Sequence, residues 1–170
     1  MAKRILASIA LLVACAAVAL ALQFASNGGD TVFAGTRPEY LGVKDGRLAR
    51  CKRTPNCVSS QTNSDGAEHH ILPIAFSGRS SQAIGAVRKA VEGMPRASIV
   101  RSESNYLYAE FRSKLMGFVD DVEFLHDEGA GLIHVRSASR LGRRDFGVNR
   151  KRVEALRAAI AAASRAGAGN

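Results

Sequence analysis

Three acidic residues and two arginines have the types and spacing that could do chemistry. Asp120, Asp121 and Glu123 lie in the stretch GFVDDVEF, and Arg136 and Arg140 lie in RSASRLG. Carboxylates can act as general bases or bind a hard cation, and arginines can bind an anion through paired hydrogen bonds. The same residues could instead be ordinary partners on a solvated sheet face, where each cross-strand pair contributes about 0.2–1 kcal/mol. Both interpretations depend on which elements carry these side chains.

A meander of consecutive strands is predicted to carry them. Alternating patterns separated by short connections predict strands at residues 98–103, 106–114, 118–126 and 132–137. Successive side chains of a strand point to opposite faces, and Asp120 belongs with the apolar set of its strand. If the apolar sets face the core, the other surface collects Tyr106, Tyr108, Glu110, Arg112, Asp121, Glu123, His134 and Arg136.

Two helices complete the predicted fold. Apolar residues at helical spacing predict one helix over residues 81–93, with Ser81 as its N-cap, and a second from an Asn149 cap to about Arg165. One short strand is predicted at residues 71–76. The order helix, strands, helix is typical of an α+β fold. We expect a four-stranded antiparallel meander with both helices packed on one face.

The N-terminus carries a membrane-targeting segment. Residues 5–25 are 21 positions without a charge, and a helix of that length, about 30 Å, spans a bilayer core. Lys3 and Arg4 precede the segment, which places the N-terminus in the cytoplasm. We therefore predict a single-pass protein of the bacterial inner membrane with its domain on the periplasmic or outer side. The predicted order after the anchor is a linker at 26–36, one domain at 37–165 and a flexible tail at 166–170.

Two other fates of this segment fit the same residues. Ala19-Leu20-Ala21 resembles a signal-peptidase site, so cleavage would release the domain into the periplasm. Leu12-Val13-Ala14-Cys15 resembles the lipobox of bacterial lipoproteins, which would be acylated at Cys15. All three alternatives export the domain.

Export decides how the other cysteines are interpreted. Cys51 and Cys57 flank a Pro-Asn turn, and disulfides persist in an oxidising compartment, so we favour a disulfide between them. A zinc site is a poor alternative because the spacing is not Cys-x2-Cys and no second ligand pair follows. A nucleophilic Cys57 served by His69 or His70 is the third alternative.

The stretch at residues 136–152 is strongly basic. It reads RSASRLGRRDFGVNRKR, with six arginines, one lysine and one acid, a formal charge of +6. We exclude a nucleic-acid partner because the domain is exported and the stretch lacks interleaved aromatic residues. Solvated charge, salt bridges to the acidic strand, and a grip on an anionic ligand or lipid headgroup remain as alternatives.

Four separated motifs resemble one known family. They are PNCVSSQ at 55–61, GFVDDVEF at 117–124, RSASRLG at 136–142 and DFGVNRKRVEALR at 145–157. Together they resemble domain of unknown function 1499, found in bacterial envelope and plastid proteins, over roughly residues 40–160. The resemblance implies no activity, but it singles out the Asn-Cys-Val-Ser-Ser segment with Asn56 and Ser59, the acidic strand and the arginine-serine segment.

A binding or assembly module is the function we expect. Its partner would be an anionic ligand or an envelope protein. The candidate ligand-binding residues are Asn56, Ser59, Glu110, Asp120, Asp121, Glu123, Arg136, Ser139, Arg140 and Asn149. One alternative is an envelope hydrolase with Asp121 or Glu123 as general base, and another is a purely structural domain. A nucleophile elbow, a phosphate loop and HExxH are missing from the sequence, which counts against the hydrolase. We assign no cofactor and no metal.

Overall fold

The computed structural model describes residues 33–62 and 66–167 and has the predicted α+β class. An antiparallel six-stranded sheet is packed against two helices. The strands are β1 (Cys57–Ser59), β2 (Ile74–Ala75), β3 (Ala97–Ser102), β4 (Tyr106–Arg112), β5 (Val119–Asp127) and β6 (Leu132–Ser139). The helices are α1 (Ser80–Glu92) and α2 (Val148–Gly167).

The predicted meander is present, but the predicted number of strands is wrong. The strand order is β1-β6-β5-β4-β3, and β2 also pairs with β6. The additional strand β1 has three residues, and β2, shorter than the predicted strand at 71–76, has two. Strands of two or three residues are too short to show an alternating pattern in the sequence. They are recognised only by their pairing with β6, in which Val58 is opposite Ser137 and Ile74 is opposite Ile133.

Both predicted helices are present, each with a different N-terminus from the one expected. Helix α1 begins at Ser80 and its N-cap is Arg79, so Ser81 is not the cap. The backbone N–H and hydroxyl of Ser80 both donate to Glu128 at 2.9 Å. Helix α2 already begins at Val148, so Asn149 is not its cap. Asp145, three residues before the helix, satisfies a donor of the first turn instead, because its carboxylate accepts the backbone N–H groups of Gly147 and Asn149 at 3.1 and 2.7 Å.

The main core lies between the helices and one face of the sheet. Its fully buried members include Val87, Val91, Leu107, Val122, Phe124, Val135, Val153, Leu156 and Ile160. Burying one such side chain contributes about 1.5–3 kcal/mol, so a one-residue slip of β5 is strongly disfavoured. The register that buries Val122 and Phe124 also turns Asp121 and Glu123 to the opposite face, as predicted.

The predicted membrane segment, residues 5–25 with Cys15, lies outside the described residues, as do residues 26–32 of the linker and 168–170 of the tail. Within the described ranges, neither helix has the apolar length that crossing a bilayer requires.

Candidate functional site

The face of the sheet opposite the helices is covered by the beginning of the described chain. We call residues 33–50 the N-terminal cover. Leu41 and Leu48 of the cover pack with Tyr106, Tyr108 and Leu125 of the sheet. The polar face is therefore a second buried layer rather than a solvated surface.

Arg140 is the centre of a hydrogen-bonded network on this face. Its Nε donates to both carboxylate oxygens of Asp121, at 3.1 and 3.0 Å, and its Nη2 donates to Glu110. Arg37 of the cover donates to the same Glu110 oxygen from Nε and Nη2, at 2.8 and 2.6 Å. The Tyr108 hydroxyl donates to Asp121 at 2.6 Å. Two acids from adjacent strands thus hold one buried guanidinium in a fixed orientation.

The charges of this network stabilise one another. Burial alone would raise the pKa of Glu110, but the hydrogen bonds from Arg140 and Arg37 outweigh it and hold that pKa below its ordinary value. Burial would lower the pKa of Arg140, yet the hydrogen bonds to Asp121 and Glu110 raise it. Burial and the neighbouring Asp121 raise the pKa of the Tyr108 hydroxyl. At neutral pH Glu110 is therefore a negatively charged carboxylate and Arg140 a positively charged guanidinium. The Tyr108 hydroxyl stays protonated and neutral.

A second buried ion pair joins Arg136 to Glu123. The Nη1 of Arg136 lies 3.2 Å from Oε2 of Glu123, and the two side chains are 2% and 0% exposed. The other carboxylate oxygen accepts the Tyr106 hydroxyl at 2.9 Å and the Gly42 backbone N–H at 2.8 Å. Arg136 also lies against the ring of Tyr40, 5.7 Å from its centroid. Glu123 is fully engaged, whereas the buried Nε of Arg136 has no hydrogen-bond partner among the described residues.

A cavity of about 410 Å³ opens between this network and the cover. Its lining residues are Thr36, Arg37, Pro38, Glu39, Tyr40, Lys52, Asn56, Cys57, Asp121, Arg136, Ala138, Ser139 and Arg140. Four of these side chains are cationic and two are anionic. The volume falls in the range of small-molecule sites, about 300–1,000 Å³.

A disulfide shapes one wall of this cavity. Cys51 and Cys57 are bonded, with their Cα atoms 5.6 Å apart, which confirms the predicted pairing. The loop that they close carries Lys52, whose Nζ lies 5.8 Å from the centroid of the Tyr40 ring. The Tyr40 ring is therefore in contact with cations of both the sheet and the disulfide loop.

Five of the predicted site residues come together on the polar face: Glu110, Asp121, Glu123, Arg136 and Arg140. Asp120 and Asn149 lie instead on the helix side of the sheet. Asp120 is opposite Ser139 in the register, and its carboxylate accepts a hydrogen bond from Arg152 of α2 at 2.6 Å. Asp120 and Asp121, which are consecutive in β5, thus point to opposite faces of the sheet.

The remaining predicted residues join β1 to the rest of the domain. The buried Asn149 side chain donates to the Ser139 hydroxyl and to the Asn56 carbonyl, both at 3.0 Å. Asn56 donates to the Gly142 carbonyl at 2.7 Å. Ser59 is 1% exposed and accepts the Gln61 backbone N–H at 3.2 Å. Asn56 and Ser139 line the cavity. Ser59 and Asn149 do not line it, and they support the lining segment through the hydrogen bonds just described.

Arg37, Tyr40 and Lys52 line the cavity but were not predicted from the sequence. They lie in an irregular part of the chain without periodicity, so alternation could not assign them to a face. A useful signal would have been the Arg-Pro-Glu-Tyr stretch, which places two charges and an aromatic ring directly after the polar linker. No group of three or more metal-ligating His, Cys, Asp or Glu side chains occurs within the described ranges.

Comparison with known sequences gives one assignment. No curated protein and no solved structure matches this chain significantly. The family described as "Protein of unknown function (DUF1499)" matches residues 47–160, which include all six strands, α1 and the disulfide. Arg37, Tyr40 and Gly42 of the cover precede the match. Because the matched range is well over half of the sequence, the chain belongs to the family of proteins of unknown function DUF1499.

Proposed function

We propose that this protein is a membrane-tethered extracytoplasmic module that binds a small anion, through a carboxylate or phosphate group, in the cavity beneath the N-terminal cover. The observation that carries the proposal is the guanidinium of Arg136, which lines the cavity and donates to Glu123 through Nη1 alone, so that its other N–H groups have no acceptor among the described residues.

An anion would resolve the energetic cost of that arrangement. A buried donor left without a partner costs about 1–3 kcal/mol, and more when it is charged. Lys52 adds an exposed cation at the cavity that forms no ion pair with the described residues. Arg140 and Arg37 are already paired with Asp121 and Glu110. Lys52 and the N–H groups of Arg136 that have no acceptor in the described ranges are therefore available to a ligand.

Binding is favoured over hydrolysis by the state of the carboxylates. Both oxygens of Asp121 accept hydrogen bonds from Arg140. The two oxygens of Glu123 together accept three hydrogen bonds, from Tyr106 and Gly42 at Oε1 and from Arg136 at Oε2. A general base needs a free lone pair directed at substrate. These acids instead fix the positions of the two buried arginines.

The tether and compartment rest on the sequence. Residues 5–25 have the length and apolar character of a membrane anchor, and Lys3 and Arg4 orient it with the domain outside. The Cys51–Cys57 disulfide is consistent with an oxidising compartment.

Ligand binding can be tested with the full chain in a neutral detergent. We would measure thermal unfolding and calorimetric binding with inorganic phosphate and glycerol 3-phosphate, with uncharged glycerol as the control ligand. We expect the phosphates alone to stabilise the protein. Arg136→Met should weaken binding at least about tenfold, since a hydrogen bond to a charged group contributes about 1.5–3 kcal/mol.

Matched variants keep this test decisive. Arg88 of α1 is 45% exposed and pairs with Glu92 outside the cavity, so Arg88→Met should bind like the wild type. Should Arg136→Met fail to fold, Lys52→Gln tests the same cavity from an exposed position. Equal phosphate affinity of wild type, Lys52→Gln and any folded Arg136→Met would overturn the proposal.

The compartment needs a separate experiment. We expect the chain to remain with membranes after alkaline carbonate extraction and its domain to be digested by protease added to spheroplasts. Recovery of the intact chain in the cytosol, with Cys51 and Cys57 reacting as free thiols, would contradict the tether.

A further inference from the structure

Exposed apolar side chains are concentrated at one end of the domain. At this end β4 and β6 finish, β5 begins and α2 starts; we call it the hairpin end. Six of the ten large apolar residues that are exposed in the described ranges lie here: Phe33, Leu115, Met116, Leu141, Phe146 and Val148. Leu115 and Phe146 are 92% and 90% exposed, more than any other residue of this group.

Contacts make much of this end one continuous surface. The ring of Phe33 lies 5.2 Å from that of Phe118, at the base of the hairpin tip formed by Leu115 and Met116. The backbone N–H of Arg140 donates to the Val119 carbonyl at 3.1 Å, which brings the next residue, Leu141, beside the same hairpin.

Phe146 is exposed and has an unfavourable backbone conformation. Its φ of 52° lies in the left-handed region, which costs a residue with a side chain roughly 1–2 kcal/mol. The ring recovers little of this through packing, since it is almost fully exposed. A large apolar side chain that is exposed despite this cost is typical of a contact site for a partner outside the described chain.

The hairpin end also carries unpaired positive charge. Lys114, Arg143 and Arg144 are exposed, and none forms an ion pair within the part of the chain described. The nearby acid, Asp145, is engaged in its own turn, where it accepts the backbone N–H groups of Gly147 and Asn149. Exposed apolar tips beside free cations are complementary to the surface of an anionic bilayer.

The path of the chain points to the same partner. The described chain begins at Phe33, in contact with the hairpin end, and only seven residues, 26–32, separate it in the sequence from the predicted anchor. We propose that the hairpin end lies on the membrane surface, with Leu115 and Phe146 in the interfacial region and Lys114, Arg143 and Arg144 among anionic headgroups. This inference rests on the membrane tether of the proposed function but not on its anion cavity.

Tryptophan fluorescence can test the docking because the chain contains no tryptophan. We would place the full chain in lipid nanodiscs of mixed phosphatidylcholine and phosphatidylglycerol containing lipids with a nitroxide near the headgroup. The two variants are Phe146→Trp and, as the matched control, Leu72→Trp, since Leu72 is 68% exposed but lies before β2, away from the hairpin end. We expect Phe146→Trp to be quenched at least threefold more strongly than Leu72→Trp, with blue-shifted emission.

Charge reversal separates the bilayer from other partners. In the Phe146→Trp background, replacing Arg143 and Arg144 by Glu should reduce quenching in anionic nanodiscs, because each cation near the surface strengthens binding about fivefold. Equal quenching of the two tryptophans would overturn the docking. So would a blue shift that appears equally in lipid-free detergent and rises with protein concentration, because it indicates a second copy as the partner. Failure of the chain to incorporate into nanodiscs at all would instead refute the tether, and phosphate affinity would still report on the cavity.

Discussion

Arg136 and Glu123 form an ion pair in which neither side chain has appreciable contact with solvent. Their facing atoms are 3.2 Å apart, and the exposed fractions are 2% and 0%. Glu123 also accepts hydrogen bonds from Tyr106 and from the backbone of Gly42, so the same carboxylate attaches the N-terminal cover to the sheet. The Arg136–Glu123 pair thus connects a lining residue of the cavity to the N-terminal cover.

Neutralising Glu123 should be strongly destabilising. Glu123→Gln leaves the Arg136 charge buried without compensation, and loss of one member of a buried pair costs about 3–5 kcal/mol. We would measure the free energy of unfolding by urea denaturation. The double variant Glu123→Gln/Arg136→Met should be less destabilised than the sum of the two single variants. Additive losses would contradict a direct coupling between the two side chains.

The disulfide should contribute to stability and to binding together. The closed loop is short, and the chain-entropy relation for a loop of this length gives about 2 kcal/mol. Replacing Cys51 and Cys57 by Ser should lower the free energy of unfolding by that amount. It should also weaken phosphate binding, because the loop carries Lys52 to the cavity. Cys15→Ser is the control and should change neither quantity; a double variant that binds phosphate like the wild type would contradict the role of the loop.

The faces of the sheet could be predicted from alternation, but the neighbours of those faces could not. Strict alternation from Leu107 to Phe111 and the apolar pair Val122 and Phe124 leave one way to bury β4 and β5, so Glu110 and Asp121 had to share the other face. The same pattern could not indicate that this face is buried. That depends on the cover, whose contacts through Gly42 to Glu123 join residues 81 positions apart.

The sequence also could not show which partner each of the two neighbouring acids, Asp120 and Asp121, would have. The family resemblance grouped Asp120 with Asp121, but consecutive residues of a strand point to opposite faces. Asp120 therefore pairs with Arg152 of α2, a contact set by how the helix docks. Arg140 is equally informative, since it follows the last residue of β6 and its direction is fixed by Asp121 and Glu110 rather than by strand alternation.

Adjacent acids should therefore give different results when neutralised. Asp120→Asn removes the ion pair with Arg152 and Asp121→Asn removes the one with Arg140, so each should lower the free energy of unfolding by about 1.5–3 kcal/mol. Only Asp121 lines the cavity and orients Arg140. We expect calorimetry on the folded variants to show altered phosphate affinity for Asp121→Asn and wild-type affinity for Asp120→Asn. The reverse result would place the binding site on the helix side of the sheet.

His134 should give the stability of the domain a pH dependence in the mildly acidic range. Burial lowers the pKa of His134 below its ordinary value of 6.5, Asp127 opposes this shift and Arg47 adds to it. The neutral ring can accept a hydrogen bond at Nδ1 from the Ser60 hydroxyl, 3.3 Å away.

Below pH 6.5 the unfolded chain binds a proton at this histidine more readily than the folded domain does. The contribution of His134 is therefore complete above that pH and is lost as the pH falls toward the lower pKa of the folded state. Glu110, whose pKa is lowered from 4.5, loses its own contribution only at more acidic pH, so the two effects separate. Urea denaturation at pH 7.5 and pH 5.5 should show a smaller decrease in the free energy of unfolding for His134→Gln than for the wild type. An identical decrease in both proteins would exclude His134 as its source, and Glu110→Gln, which should leave the decrease over this range unchanged, is the matched control.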